Sequence, residues 1–179
     1  MKNKVLVIDQ GTHSTRAVIH DQYGIIQSAS VPIAINVNAH GWIEQDAEEI
    51  YQSVRAALDA LMHKSTLENI QHITSAALIV QRSSFVACEK SSGKPITPVI
   101  SWQDTRNQRF INQLYSQWSN IQAITGLRPN AHYGASKMRW LLDNEPALKK
   151  AYAENNLIFL PLAAYLSKKL TQSVSYVVD

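Results

Sequence analysis

VLVIDQGTHSTRAVIH, residues 5–20, places a polar turn between two apolar runs that are rich in β-branched side chains. The runs Val5–Ile8 and Ala17–Ile19 are typical of strands, so we predict a hairpin with the polar residues at its tip. A turn at residues 21–24 and a third apolar run at Ile25–Val31 follow. Consecutive strands usually pair with each other, and the stretch therefore predicts an antiparallel meander.

Beyond the meander and a loop at residues 36–46, helical and extended patterns alternate. Asp46 and Glu49 have the spacing of a capping box, which predicts a helix to about Met62. The run Ile73–Val80 predicts a buried strand. Further predicted elements are a hairpin of Phe85–Glu89 and Val99–Ile100, a helix from Asp104 to Trp118, helices around Leu141, after Pro146 and at Leu162–Leu170, and a strand at Leu157–Leu160. This order indicates an α/β or α+β class with a mixed sheet.

Composition sets broad limits on the kind of protein. The chain has 179 residues, of which 45% are hydrophobic and 17% are charged, as expected for one globular domain with a substantial core. The net charge of +3 is spread along the chain, and its densest clusters, Lys149-Lys150 and Lys168-Lys169, are typical of solvated helix faces. This pattern does not favour a nucleic-acid partner.

The cysteine count, the N-terminal residues and the lengths of the apolar stretches bear on cellular location. Cys88 is the single cysteine, so an internal disulfide is impossible, which fits a reducing compartment. The start, Met1-Lys2-Asn3-Lys4, has no signal-peptide pattern, and no apolar stretch is long enough to span a bilayer. We therefore expect a cytoplasmic protein that does not interact with membranes.

The residue types at the hairpin tip are suited to phosphate. Asp9 can hold a hydrated Mg²⁺, and Gly11 permits close approach of a ligand to the backbone. Arg16 can neutralise charge on a phosphoryl group that is being transferred. The tip also offers hydroxyl groups, from Thr12, Ser14 and Thr15. The alternative is a plain turn, because Asp, Gly, Ser and Thr favour turns in any case.

The segment Asp9–Arg16 resembles the first phosphate motif of the FGGY carbohydrate kinases, and of the glycerol kinases among them. The resemblance continues in order and spacing along nearly the whole chain. The segments that carry it are Gly41–Asp46 (GWIEQD), Gln81-Arg82, Gly93–Arg106 with its Trp-x-Asp-x-Arg pattern, Thr125–Leu127 and Lys137–Leu142. Each segment is weakly specific by itself, whereas the ordered set is strongly specific.

The resemblance implies an actin-like ATPase fold built from ribonuclease-H-like domains, with ATP and a sugar or polyol in a cleft. It also implies transfer of the ATP γ-phosphoryl group to a hydroxyl, with Mg²⁺ linked to Asp9. By position, it assigns nucleotide contacts to Asp9, Gly11, Thr12, His13, Ser14 and Arg16, and substrate contacts to Arg82, Ser83, Trp102 and His132. Apart from the resemblance, each of two residues has an alternative to a place in the pocket. Arg82 also suits an exposed surface position, and Trp102 also suits the core.

Two positions depart from the glycerol kinase pattern. Ser83 stands where those enzymes have Glu, and a carboxylate accepts hydrogen bonds from hydroxyls more strongly than serine does. His132 stands where they have an aromatic residue, and a shift of one residue would put Tyr133 there instead. The family resemblance therefore does not identify the substrate as glycerol.

The family's catalytic aspartate is expected beyond Asp179, because members of the family are much longer. We therefore expect residues 1–179 to be an incomplete N-terminal domain that is inactive alone, with an unpaired sheet edge that favours self-association as a homo-oligomer. One alternative is a non-catalytic binding module. Another is a chaperone-type member of the actin-like group, which the GWIEQD and Trp-x-Asp-x-Arg segments do not favour.

Overall fold

The computed structural model describes residues 3–173 and 175; the expectations about Asp179 lie outside the described residues. The strands are β1 (Lys4–Gln10), β2 (Ser14–Asp21), β3 (Gly24–Pro32), β4 (Asn36–Val37), β5 (Ile43–Gln45), β6 (Ile73–Val80), β7 (Phe85–Glu89), β8 (Val99–Ile100) and β9 (Leu157–Pro161). The helices are α1 (Ala47–Lys64), α2 (Leu67–Ile70), α3 (Gln108–Gln113), α4 (Trp118–Thr125), α5 (Gly134–Asn144), α6 (Pro146–Ala153) and α7 (Leu162–Thr171), with a 3₁₀ turn at Tyr115–Gln117.

The chain divides into two compact units. The first unit comprises Met1–Ile35, Gln45–Gln81 and Leu162–Asp179, and the second comprises Asn36–Glu44 and Arg82–Pro161. The sheet of the first unit has the order β3-β2-β1-β6, in which β1 pairs antiparallel with β2 and parallel with β6. The antiparallel meander and the mixed sheet are therefore confirmed.

Helix α1 packs on the meander through the apolar face that the sequence predicts. The Asp46 side chain accepts a hydrogen bond from the Glu49 N–H at 2.8 Å, so Asp46 is the N-cap. The Glu49 carboxylate accepts from the Ala34 N–H at 3.1 Å, which ties the helix start to the loop after β3. The core between helix and sheet contains Ala17, Ile19, Ala29, Ala57 and Leu61.

The run Ile73–Val80 is a strand, as expected, but the expectation that it is buried is wrong. Most side chains of β6 are exposed, and Ile79 is 54% exposed. Within residues 3–173 and 175, β6 pairs only with β1, so it forms one edge of the sheet. The sequence of β6 is apolar along its length, as in strands that are buried on both faces. The neighbouring elements nevertheless cover it only in part.

The sheet of the second unit has the order β4-β5-β8-β7-β9. Strands β4 and β5 lie in the stretch that the sequence predicts as a loop, because they are too short to give a periodic signal. The hairpin of β7 and β8, the strand β9 and the helices α5 and α6 are confirmed. Gly126 ends α4 in the left-handed conformation, with φ 73°, and Pro146 begins α6.

Asp104 does not cap a helix, which corrects the prediction. The residue before α3 is Asn107, and the predicted single helix is divided into α3, the 3₁₀ turn and α4. Asp104 is instead buried and accepts a hydrogen bond from the Ile43 N–H at 2.8 Å. Across residues 3–173 and 175, every helix is too short or too polar to cross a lipid bilayer.

Candidate functional site

Asp9 and Arg16 lie directly opposite each other in the β1–β2 pair. Opposed residues of an antiparallel pair project from the same face, with Cβ atoms about 5 Å apart. Both residues are exposed. The hairpin therefore presents a carboxylate and a guanidinium side by side at its tip.

The tip is a tight turn that leaves little space for a side chain at position 11. The Gly11 N–H donates to the Ser14 carbonyl at 2.9 Å. A Cβ at position 11 would lie 3.3 Å from that same oxygen, which is tighter than ordinary contact. The close approach of the Ser14 carbonyl is consistent with glycine at this position.

Three consecutive carbonyls of the tip turn toward the protein. The Gly11 carbonyl accepts from Gln10 Nε2 at 2.6 Å, the Thr12 carbonyl from Gln45 Nε2 at 3.0 Å, and the His13 carbonyl from the Ile33 N–H at 3.0 Å. Donors of the protein therefore hold three successive peptide groups of the turn, which gives its backbone a defined geometry.

A buried group of glutamines holds the tip in place. Gln10, Gln45 and Gln81 are all buried, and Gln81 Nε2 donates to Gln45 Oε1 at 2.8 Å. Gln45 also donates to the Ala34 carbonyl at 3.0 Å, and the Gln81 N–H donates to the Gln10 carbonyl at 2.8 Å. A buried amide without partners is costly, so these bonds strongly favour one geometry of the turn.

The hydroxyl of Thr15 is not part of the tip's polar surface. It is buried and lies 2.6 Å from the hydroxyl of Ser53 in α1. The Ser53 hydroxyl in turn donates to the Ile50 carbonyl. Side chains alternate along a strand, so Thr15 faces the helix while Arg16 faces solvent. The suggestion that Thr15 contacts phosphate is therefore corrected; Thr12 and Ser14 remain half-buried and His13 is exposed.

The tip offers oxygen groups of the kind that can hold Mg²⁺. One exposed carboxylate and neighbouring hydroxyls are hard oxygen ligands, and Mg²⁺ keeps several waters. Within the described part of the chain, no three His, Cys, Asp or Glu side chains are grouped as a metal site would require.

In the second unit, Trp102 and His132 lie together. Their ring centroids are 6.4 Å apart, and His132 Nδ1 lies 3.1 Å from the Trp102 carbonyl. The His132 N–H donates to Asn130 Oδ1 at 2.9 Å, which fixes the turn before α5. Tyr133 lines a separate apolar cavity of about 300 Å³ between α3, α4 and α5. Of the two candidate residues, His132 thus has a ring contact with Trp102.

The backbone of Trp102 is held on both sides. Its N–H donates to the Ser84 hydroxyl at 3.0 Å. Lys137 Nζ donates to the Ser101 carbonyl at 2.9 Å and to the Trp102 carbonyl at 3.4 Å. Lys137 is 0% exposed. Burial lowers the pKa of Lys137 to about 8; nearby Asp104 opposes this shift and nearby Arg106 adds to it.

Arg82 and Ser83 lie at the same end of the second sheet as Trp102. Phe85 at the start of β7 pairs with Ile100 at the end of β8, so the residues before one strand adjoin those after the other. Arg82 and Ser83 are exposed. Ser83 has φ 64°, a left-handed conformation that costs a non-glycine residue about 1 kcal/mol or more. Such strain is commonest at functional positions.

Sequence reasoning missed the cluster around Arg106, although it quoted both segments that form it. The Arg106 guanidinium donates to Asp104 at 2.9 Å and to Glu44 at 2.7 Å, and its side chain is only 1% exposed. It lies 4.9 Å from the Trp42 ring centroid and 5.4 Å from that of Trp140. The GWIEQD and Trp-x-Asp-x-Arg segments are therefore two halves of one contact.

The charges of this cluster stabilise each other. Burial alone would raise the pKa of Asp104, but hydrogen bonds from the Arg106 side chain and from the Arg106 and Ile43 amides outweigh it, and the pKa is lowered. Burial alone would lower the pKa of Arg106, but its bonds to Asp104 and Glu44 raise it. Both groups are therefore ionised, and the cluster fixes the segment that carries Trp102.

Residues 4–179 match the N-terminal domain of the FGGY family of carbohydrate kinases. The chain belongs to this family. Within it, the chain is 34% identical over 182 residues to the glycerol kinase of Natranaerobius thermophilus and 32% identical over 179 residues to that of Koribacter versatilis. It spans about 36% of the length of these curated relatives.

Solved structures agree with the family assignment. The chain resembles the Plasmodium falciparum glycerol kinase solved with ADP, with a TM-score of 0.79 and 26% identity over 96% of this chain and 35% of that one. It shares its fold with the xylulose kinase of Rhodospirillum rubrum, with a TM-score of 0.82 and 21% identity over 93% of this chain and 33% of that one. The predicted α/β fold of the ribonuclease-H-like, actin-like ATPase type, present in part, is confirmed.

Proposed function

We propose that the chain is the N-terminal part of an ATP-dependent kinase that phosphorylates a hydroxyl of a sugar or polyol. The observation that carries the proposal is the hairpin tip, where Asp9 and Arg16 are exposed cross-strand neighbours next to the Gly11 turn. Membership of the FGGY family and the glycerol kinases among the relatives support it. The Plasmodium glycerol kinase solved with ADP supports ATP as the phosphoryl donor.

In this proposal the hairpin tip binds the phosphates of ATP. Arg16 contacts phosphate oxygens, with Thr12, His13 and Ser14 beside them in the turn. Asp9 would hold Mg²⁺, which neutralises phosphate charge when it is bound. Gly11 keeps the backbone close to the ligand, and the buried glutamines keep the turn from moving. Preformed positions of this kind lower the barrier without rearrangement during the reaction.

The sugar or polyol binds at the exposed face of Trp102 and His132, with Arg82 and Ser83 beside it. A guanidinium offers several donors to neighbouring hydroxyls, and an aromatic face packs on carbon-bound hydrogens. Ser83 supplies a weaker acceptor than the Glu of the glycerol kinase pattern. We therefore infer a polyhydroxy substrate and leave its length open between a triol and a pentitol.

We infer that these 179 residues do not phosphorylate a substrate by themselves. Phosphoryl transfer needs a base within hydrogen-bond reach of the attacking hydroxyl, and the family's base aspartate has no counterpart among the matched segments. Purified chain should therefore consume no ATP above background. Consumption that is abolished by Asp9→Ala would contradict this inference.

We further propose a cytoplasmic location, because ATP is the phosphoryl donor and the single cysteine fits a reducing compartment. The exposed edge of β6 supports self-association of the chain, since an unpaired strand edge is a template for pairing. Sedimentation over a range of concentrations tests the second point. A monomer at every concentration would contradict it.

Amide-resolved NMR titration tests the proposed function. Adding Mg²⁺ and ATP should shift amides in residues 9–16, and adding glycerol or xylitol should shift amides of Arg82, Ser83, Trp102 and His132. Matched titrations with Mg²⁺ alone and with sucrose control for ion and solvent effects. A chain in which neither group of amides responds would be a non-catalytic module and would contradict the proposal.

A further inference from the structure

His132 has a hydrogen-bond arrangement that determines which of its nitrogens carries the proton. Its Nδ1 lies 3.1 Å from the Trp102 carbonyl. A carbonyl oxygen only accepts hydrogen bonds, so Nδ1 must donate. In a neutral imidazole the other nitrogen then has no proton, and His132 Nε2 is an acceptor.

The Trp102 carbonyl is itself fixed by a buried cation. Lys137 Nζ donates to the Ser101 and Trp102 carbonyls, at 2.9 Å and 3.4 Å. Lys137 is fully buried, so it has little freedom to move. The Ser84 hydroxyl holds the Trp102 N–H at 3.0 Å from the other side. The Trp102 backbone, whose carbonyl is hydrogen-bonded to His132, is thus held by Lys137 and by Ser84.

We propose that His132 recognises a substrate hydroxyl as a hydrogen-bond acceptor, through Nε2, and that Lys137 is the positioning residue that keeps the ring in this state. The proposal rests on the proposed function for its ligand, but its statement about the tautomer does not. His132 then adds an acceptor to a site in which Ser83 accepts more weakly than the Glu of the glycerol kinase pattern would. The ligand is a polyol that offers a hydroxyl proton to an aromatic nitrogen beside the Trp102 face.

Nitrogen-detected NMR of the ¹⁵N-labelled chain tests the tautomer directly. We expect His132 to be protonated at Nδ1 and unprotonated at Nε2, assigned by comparison with His132→Phe. A peptide with the sequence of residues 128–136 gives the tautomer mixture of an unconstrained histidine. An Nε2–H form, or the mixture of the peptide, overturns the proposal whether or not a polyol binds.

Titration with glycerol or xylitol tests the acceptor. The Nε2 resonance should shift with ligand concentration, and His132→Phe should weaken binding about three- to tenfold, the loss expected for one neutral hydrogen bond. A ligand that shifts the amides of Arg82 and Ser83 but leaves Nε2 unchanged overturns the acceptor role and leaves the proposed function intact. No shift anywhere contradicts the proposed function and, with it, the ligand half of this proposal.

Lys137→Met tests the positioning role, with exposed Lys150→Met as the matched control. The Nδ1–H form of His132 should relax toward the peptide mixture in Lys137→Met and stay unchanged in Lys150→Met. Lys137→Arg, which keeps a donor, should retain part of the preference if it folds. An unchanged tautomer in a folded Lys137→Met variant overturns the positioning role, and the wild-type spectrum tests the tautomer even if that variant fails to fold.

Discussion

Asp9 and Arg16 are direct cross-strand neighbours at the turn end of the first hairpin, exposed on one face of the sheet. Hydrogen bonds from the protein to the carbonyls of Gly11, Thr12 and His13 hold the adjacent turn in place. A short stretch of sequence thus places a carboxylate and a guanidinium side by side next to a turn of defined geometry. This arrangement suits a phosphate group that carries a divalent cation.

The glutamine group under the tip should be essential for the shape of the turn. Gln45→Ala removes partners from the Thr12 and Ala34 carbonyls and from Gln81 at once. We expect a loss of about 1–3 kcal/mol in the free energy of unfolding, and faster hydrogen exchange at Gly11 and Ile33, whose amides donate to carbonyls of the turn. Urea unfolding and amide exchange measure these effects. Gln22→Ala, an exposed change in the next turn, is the control, and equal behaviour of the two variants would contradict the role of Gln45.

The buried pair of Asp104 and Arg106 should be much more sensitive than a surface pair. Asp104→Ala leaves a buried guanidinium with Glu44 as its remaining carboxylate partner, and we expect a loss of about 3 kcal/mol or more. Asp143→Ala breaks an exposed pair with Arg139 and should cost less than about 0.5 kcal/mol. Urea unfolding followed by tryptophan fluorescence compares them. Similar losses of unfolding free energy in the two variants would show that the buried cluster does not hold the segment that carries Trp102.

Lys137 gives stability a defined dependence on pH. Burial lowers the pKa of Lys137 to about 8 from 10.5, so between these values the unfolded chain binds more protons at this site than the folded chain does. Stability relative to Lys137→Met should therefore rise with pH across this window, by up to about 1.4 kcal/mol per pH unit. Below it, the cost of burying the cation is constant.

Paired urea unfolding curves of the wild type and Lys137→Met, at several pH values, measure this difference. Lys150→Met, in which an exposed lysine is removed, should show a difference from the wild type that stays flat with pH. A flat difference for Lys137→Met as well would mean that Lys137 is not a buried cation below pH 8.

Position 83 should control the affinity for small polyols. Ser83→Glu restores the carboxylate of the glycerol kinase pattern at an exposed position, and a charged acceptor adds about 1.5–3 kcal/mol for a hydroxyl donor. We expect glycerol to bind at least tenfold more tightly, as measured by NMR titration. Ser91→Glu adds the same charge at an exposed turn and is the control. No change in affinity at position 83 would place the polyol elsewhere.

Sequence patterns predict most of the fold, because caps, turns and periodicity are local. The hairpin, the Asp46 cap, and helices α5 to α7 are cases of this kind. The exposure of β6 was not predictable, since a strand that is apolar along its length has the same sequence pattern whether or not a neighbour covers it.

The candidate site shows the same division. The types and order of residues 9–16 predict a phosphate-binding tip, but alternation along β2 turns Thr15 inward. The pairing of Asp104 with Arg106 and Glu44 depends on contacts between distant segments, which no local pattern contains. Lys137 did carry a signal: it lies one turn before Leu141, on the apolar face of α5.

The central claim is that the hairpin tip binds nucleotide phosphates through Asp9. The most direct measurement is an NMR titration of Mg²⁺ and ADP into the wild type, Asp9→Asn and Asp21→Asn. Asp21 lies at the other end of β2, and Asn keeps its acceptor for the Tyr23 N–H. We predict shifts confined to residues 9–16 in the wild type and in Asp21→Asn, and at least tenfold weaker binding in Asp9→Asn. Equal binding by all three proteins, or shifts that leave residues 9–16 unmoved, would contradict the claim.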